Sequence, residues 1–147
     1  MSRSGYNDGC DGWELNLWRG AVESAIRGKR GQAFLREMRD ALDAMPEKRL
    51  VAGDLVTPEG ECCAMGAVAI RRGLDVSGVD ETERDQVAQA FGIAEALAAE
   101  IAFENDEREA RWRPETPEER WKRMRAWVES QLAATPQPSV PGSGDRG

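Results

Sequence analysis

Arg27-Gly28-Lys29-Arg30-Gly31-Gln32 is the first stretch of this 147-residue chain from which a site can be made. Arg27, Lys29 and Arg30 place three cations in a segment bracketed by two glycines, and Gln32 opens a helical pattern. Free backbone N–H groups and the helix dipole favour an anion at a helix start. Glycine lets the backbone curl around one. A phosphate, a nucleotide or an acidic side chain suits such a place. The Gly-x4-Gly-Lys-Ser/Thr spacing of a nucleotide-binding P-loop is absent. The competing reading is an ordinary interhelix turn whose cations suit the end of the preceding helix.

A second group is Glu104-Asn105-Asp106-Glu107, with Glu109 close by. Carboxylates with an amide are the donors that Mg²⁺ and Ca²⁺ take. The spacing fits no EF-hand and lacks its turn glycine, so a solvated helix end is the expectation and no metal is assigned. As a protein-contact patch the region holds more. Asp106 and Glu107 lead into Arg108, Arg111, Trp112 and Arg113, and Arg and Trp dominate interface hot spots. The competing reading is a charged loop with one Trp turned into the core.

Cysteine chemistry is weak. Cys10, Cys62 and Cys63 make an odd count with two neighbours, which is no disulfide framework. A reactive thiol needs a base or cation beside it, whereas Cys62-Cys63 is flanked by Glu61, Ala64 and Met65. Buried core cysteines are expected. The chain has no His, which removes Ser-His-Asp and Cys-His catalysis and His-bearing zinc sites. Carboxylate catalysis from distant residues is the enzymatic class left open. The expectation is a non-enzyme with no cofactor and no metal.

The elements that must position these groups are mostly helical. Trp18, Ala21, Val22, Ala25 and Ile26 share one helical face, predicting a helix from about Trp13 to Ile26. Phe34, Leu35, Met38, Ala41, Leu42 and Met45 repeat the pattern over 32–45, and Pro46 ends it. Arg49–Val56, the turn Thr57-Pro58-Glu59-Gly60 and Glu61–Ala64 predict a small two-stranded hairpin. Met65, Val68 and Ala69 then suit a short helix closed by Gly73. Thr82–Asp85 resembles a capping box before a helix to Phe91, where Gly92 stops it. A helix over about 94–104 turns Leu97, Ala98 and Ile101 inward. Thr116-Pro117-Glu118-Glu119 is a stronger start signal, and Trp121, Met124, Val128 and Leu132 follow at helical spacing. Trp18 and Trp121 belong to apolar faces, whereas Trp13 and Trp127 fall off them and suit a contact surface.

The sum is a mainly α fold, a compact domain of about five to six helices with one small two-stranded β-hairpin. Residues 1–12 read as a disordered lead, 13–134 as a single helical domain, and the Pro-, Gly- and Ser-rich 135–147 as a disordered tail. No apolar run is long enough to span a bilayer, and a cytoplasmic protein is expected.

Lys and Arg total 20 against 27 Asp and Glu, a formal net charge of −7. Residues 51–100 hold three basic and ten acidic side chains, so the middle third carries the imbalance. Ala88, Gly92 and the apolar positions after them copy a helix-turn-helix spacing. The second helix, however, offers Ala94, Glu95, Ala96, Ala98, Ala99 and Glu100, with nothing to read a base edge or neutralise phosphate. Nucleic acid is an unfavoured partner.

Four blocks together carry a resemblance: 11–55 (DGWELNLWRGAVESAIRGKRGQAFLREMRDALDAMPEKRLVAGDL), 60–77 (GECCAMGAVAIRRGLDVS), 91–107 (FGIAEALAAEIAFENDE) and 115–128 (ETPEERWKRMRAWV). They resemble a family of short, uncharacterised phage and prophage proteins. The doubled Cys62-Cys63 and Met65, where that pattern has Leu, depart from it in ways that suit a core. The resemblance implies a viral accessory protein in the host cytoplasm, and it carries over no catalytic residue. The first expectation is therefore non-enzymatic binding that inhibits or modulates a host defence protein. The alternatives are capture of a phosphorylated nucleotide or signal at 27–32 and, behind it, a helix-turn-helix regulator.

Overall fold

The computed structural model describes Arg3, residues 12–107 and residues 113–133. Six helices run in order: α1 (Gly12–Arg27), α2 (Lys29–Ala44), α3 (Ala64–Arg72), α4 (Arg84–Phe91), α5 (Glu95–Glu107) and α6 (Pro117–Ala133). Helix α5 lies at the centre and touches α1, α3, α4 and α6, while α2 packs on α1, α3 and α6.

The apolar stripes account for this arrangement. Phe34, Leu35, Met38, Ala41 and Leu42 of α2 are buried, as are Val22 and Ile26 of α1. Met124 and Val128 of α6 meet them, and Trp121 of the same helix donates its indole N–H to the Leu42 carbonyl at 3.2 Å. Residues Ala96–Ala102 of α5 are all buried, so this helix keeps no open face along its middle. A helix apolar on every side belongs in an interior.

The terminators act as their residue types dictate. Gly73 and Gly92 hold left-handed φ values of +71° and +73° at the ends of α3 and α4. Thr116 and Glu119 form a reciprocal capping box. The Glu119 N–H donates to Thr116 Oγ1 at 3.1 Å, and the Thr116 N–H donates to Glu119 Oε1 at 2.9 Å. The box expected at Thr82–Asp85 does not form. Glu83 is the N-cap of α4 and makes no side-chain cap bond, while Thr82 donates to Asp80 instead.

The predicted hairpin is corrected. Among the described residues there is no strand, only an isolated antiparallel bridge between Val56 and Cys62. The turn itself is present, with Gly60 N–H donating to Thr57 O and Thr57 N–H to Glu61 O. Gly53, at φ +88°, breaks the run that would have been the first strand. Cys63 already leads into α3, its N–H donating to Leu55 O and its thiol accepting from Gly66 N–H. The 46–63 segment is thus an irregular loop pinned by Leu50 and Leu55, both buried.

The predicted disordered lead and tail lie almost wholly outside the described residues. Arg3 is a departure: it is buried, at 6 % exposure.

Candidate functional site

The 27–32 segment is a tight corner. Helix α2 starts at Lys29, three residues before the expected Gln32, so Gly28 alone joins the helices. A Cβ on Gly31 would lie 1.8 Å from the Ala25 carbonyl oxygen, which is why glycine stands there. Gln32 is buried and donates its amide to the Ile26 carbonyl at 2.8 Å, so it serves the corner. Arg27, Lys29 and Arg30 are exposed, and Arg27 pairs with Glu23 along α1 at 3.1 Å. Gly28 supplies no side-chain cap to α2. Arg30 also borders a depression of about 160 Å³ with Arg72, Glu37, Phe34 and Phe91.

The acidic run is not a solvated helix end. Glu104 and Asn105 are buried and Asp106 is 13 % exposed, because the end of α5 is enclosed by the 50–55 loop, the start of α3 and α6. Only Glu107 of the run is exposed. Arg120 donates to the Asn105 carbonyl at 2.9 Å, and Arg123 donates to the Glu104 and Asn105 carbonyls. Cations at a helix C-terminus oppose its dipole. Asp106 accepts both Nε and Nη2 of Arg3 at 2.8 Å. Burial alone would raise the Asp106 pKa, but Arg3, the Asn105 amide and the Gly53 N–H outweigh it and hold it below the ordinary carboxylate value. No group of three or more His, Cys, Asp or Glu among the described residues is placed to hold a metal. Arg111 and Trp112 lie outside the described residues.

Cys62 and Cys63 are core residues, 3 % and 0 % exposed. Burial pushes the Cys62 thiol up to about 12, with Cys63 and Glu61 adding to the effect. A neutral buried thiol such as that of Cys62 is a poor nucleophile. The would-be reading helix, α5, is buried from Ala96 to Ala102, and its Glu100 is paired with Arg19 of α1.

A further concave feature of this surface lies where no site was expected from the sequence. The C-terminal half of α2, the 46–51 segment, the 59–62 turn and α3 enclose a groove of about 470 Å³. Ala41, Ala44, Met45, Val51, Ala67 and Ile70 supply apolar walls. Ile70 is 53 % exposed, an unusual state for a large aliphatic side chain beside a cavity. Three glutamates, Glu47, Glu59 and Glu61, also line it, and two arginines stand at the rim, Arg49 and Arg71.

Their state sets them apart from the arginines that hold the fold. Arg72 clasps Glu37 with two bonds of 2.6 and 2.7 Å, and Arg125 clasps Asp43 at 2.8 and 3.0 Å. Arg49 lies only at 3.6 Å from Glu61 and 4.0 Å from Glu118, and its Nε–H has no hydrogen-bond partner among the described residues. Arg71 is exposed and makes no ion pair among them.

No family model, curated protein or solved structure matches this chain. The geometry therefore carries the functional argument. No helix among the described residues is long and apolar enough to cross a membrane.

One sequence signal for the groove existed. Ile70 falls off the Met65–Val68–Ala69 stripe, between that stripe and two arginines. A single exposed isoleucine is common on protein surfaces, and it becomes informative only beside the groove. Arg49 gave no such signal, since its loose pairing depends on Glu61 and Glu118 arriving from elsewhere.

Proposed function

We propose that this protein acts by binding another protein, without catalysis of its own, and that the groove between α2, α3 and the 46–62 loop is the contact surface. The observation that carries this reading is the open apolar groove with the exposed Ile70 beside Arg71 and Arg49, whose Nε–H has no hydrogen-bond partner among the described residues. The volume exceeds that of one side chain and suits two or three from a partner's helix or loop. Arg49 and Arg71 stand there with Glu47, Glu59 and Glu61, so the groove offers both charges beside its apolar walls. The occupant is thus an apolar segment of a partner. The resemblance to phage and prophage proteins makes a host defence protein the partner class, with inhibition or modulation as the outcome.

The test captures partners from host lysate with the wild type, Ile70→Asp, Arg49→Glu and Arg30→Glu, each checked for an unchanged unfolding midpoint. The proposal expects one stoichiometric protein with the wild type and Arg30→Glu, lost with Ile70→Asp and Arg49→Glu. Retention by Ile70→Asp refutes the groove.

A second reading, a phosphorylated small ligand at the 27–32 corner, is favoured by Arg27, Lys29 and Arg30 around an α2 start that Gly28 leaves uncapped. It predicts a thermal shift with nucleoside phosphates that Arg30→Glu abolishes, since ligands of the folded state raise its melting point.

A further inference from the structure

Arg3 is held by acceptors that distant parts of the chain supply. The carboxylate among them, Asp106, is oriented by two other donors, Asn105 Nδ2 at 2.8 Å and Gly53 N–H at 3.2 Å. Asn105 is itself locked, accepting from Ala64 N–H at 3.2 Å and donating to the Val51 carbonyl at 3.0 Å, and it is 1 % exposed. The Cys63 sulfur, fixed by the Gly66 N–H, accepts from Arg3 Nη1 at 3.5 Å. Each nitrogen of the guanidinium therefore meets an acceptor, two on one planar carboxylate and one on sulfur. A planar fork matched to a carboxylate in this way is specific to guanidinium, because an ammonium cannot span both oxygens at once.

The stem is accommodated too. Arg3 lines a narrow cleft with five apolar residues, Leu55 and Met65 among them, and with the charged Glu81 and Arg84. The receptor atoms come from α3, α5 and the 50–55 loop, whereas Arg3 precedes α1 by eight intervening residues. Receptor and occupant thus belong to different parts of the chain, 103 residues apart for Asp106 and 60 for Cys63.

We propose that this pocket is a guanidinium-binding site occupied in cis by Arg3, and that a guanidinium group from another molecule takes the same place when Arg3 is removed. The ligand class is an alkylguanidinium, either a small molecule or an arginine presented by a polypeptide. The cleft shares none of the groove's lining residues, although Val51, which lines the groove, also holds Asn105 in place.

The test uses the full-length Arg3→Ala protein. Ethylguanidinium supplies the atoms that this substitution deletes. At low millimolar concentration it should raise the melting temperature of Arg3→Ala by several degrees and leave the wild type unchanged. Propylammonium, equal in charge, should do neither. Adding Asp106→Asn to Arg3→Ala should abolish the rescue. If Arg3→Ala does not fold alone, refolding must succeed with ethylguanidinium and fail with propylammonium. A blocked Ser-Arg-Ser peptide forms a second arm. A larger shift than ethylguanidinium assigns the site to an arginine on a polypeptide, and a smaller one assigns it to free guanidinium compounds. Equal shifts for wild type and Arg3→Ala, equal rescue by both cations, or rescue that survives Asp106→Asn would overturn the proposal.

Discussion

Gly20 and Gly66 both sit inside helices, and replacing each with alanine should change stability in opposite directions. Alanine is the better helix former by about 1 kcal/mol. At Gly20, on α1, an added Cβ meets nothing within 4 Å among the described residues, so Gly20→Ala should gain about that amount. At Gly66, on α3, the same atom would lie 1.9 Å from the Leu55 carbonyl oxygen and 2.8 Å from Cys62 Cβ. Ordinary contact begins near 3.4 Å, so the Leu55 backbone must retreat. It is poorly free to do so. Its carbonyl accepts the Cys63 N–H at 3.1 Å and its N–H donates to Glu81 at 2.9 Å. Overpacking costs about 1–3 kcal/mol and each hydrogen bond stretched costs about 1 more. After the helix gain is subtracted, Gly66→Ala should lose about 2–4 kcal/mol. For a domain this size that is a fall of roughly 6–12 °C in midpoint, against a rise of about 3 °C for Gly20→Ala. Urea and thermal unfolding followed by far-ultraviolet circular dichroism read both. A Gly66→Ala midpoint at or above that of the wild type would show that the loop is not seated on α3 as described.

Thr116→Ala removes one half of the capping box at α6 and should cost about 1 kcal/mol, read as a lower urea midpoint at unchanged slope. Acid should destabilise the fold. Arg3 and its neighbours hold Asp106 below its ordinary value, Arg72 does so for Glu37, Arg125 for Asp43, and Arg113 holds Glu119 at about 2. Depressed carboxyls stabilise above their unfolded values, near 4, and that stability disappears as pH falls through the folded ones, so the midpoint should drop between about pH 4 and pH 2. Glu81 runs the other way, raised by burial and by Asp54, so its contribution is present at low pH and lost as pH rises through the raised value. Glu81→Gln should flatten the stability profile on that side, and a profile identical to the wild type would contradict the assignment. In a Cys10→Ser background, Cys62 and Cys63 should resist a thiol reagent at pH 8 until the chain unfolds, and rapid labelling of either would contradict their burial.

Periodicity made most of the helices legible. The stripe from Phe34 to Leu42 and the box at Thr116–Glu119 are local, and local chemistry decides them. The hairpin failed because two forces invisible in a pattern compete with strand pairing there. Gly53 takes a left-handed conformation, and Cys63 is recruited to cap α3. The acidic run misled for a related reason. Four polar residues in a row read as surface, yet Arg120 and Arg123 come from a different helix to cover them. Arg3 had no signal at all, since a single arginine in a polar, glycine-bearing stretch looks like any other until Asp106 is placed beside it. The groove is legible only in part, through the misplaced Ile70.

The central position of α5 has a kinetic consequence. It is fifth in chain order but first in the architecture, since α1, α3 and α4 all lean on it. During synthesis α1 and α3 emerge able to pack on α2, but the faces they turn toward α5 have nothing to close upon. The α1–α2 pair can associate at once, being joined by a single residue, but the core can be sealed only when residues 95–107 leave the ribosome. Closing contacts between α1 and α5, or between α2 and α6, spans most of the described chain, which slows folding compared with bundles built from neighbours in sequence. A chain released before α5 is complete would therefore present an open apolar trough, a natural client for chaperones and proteases.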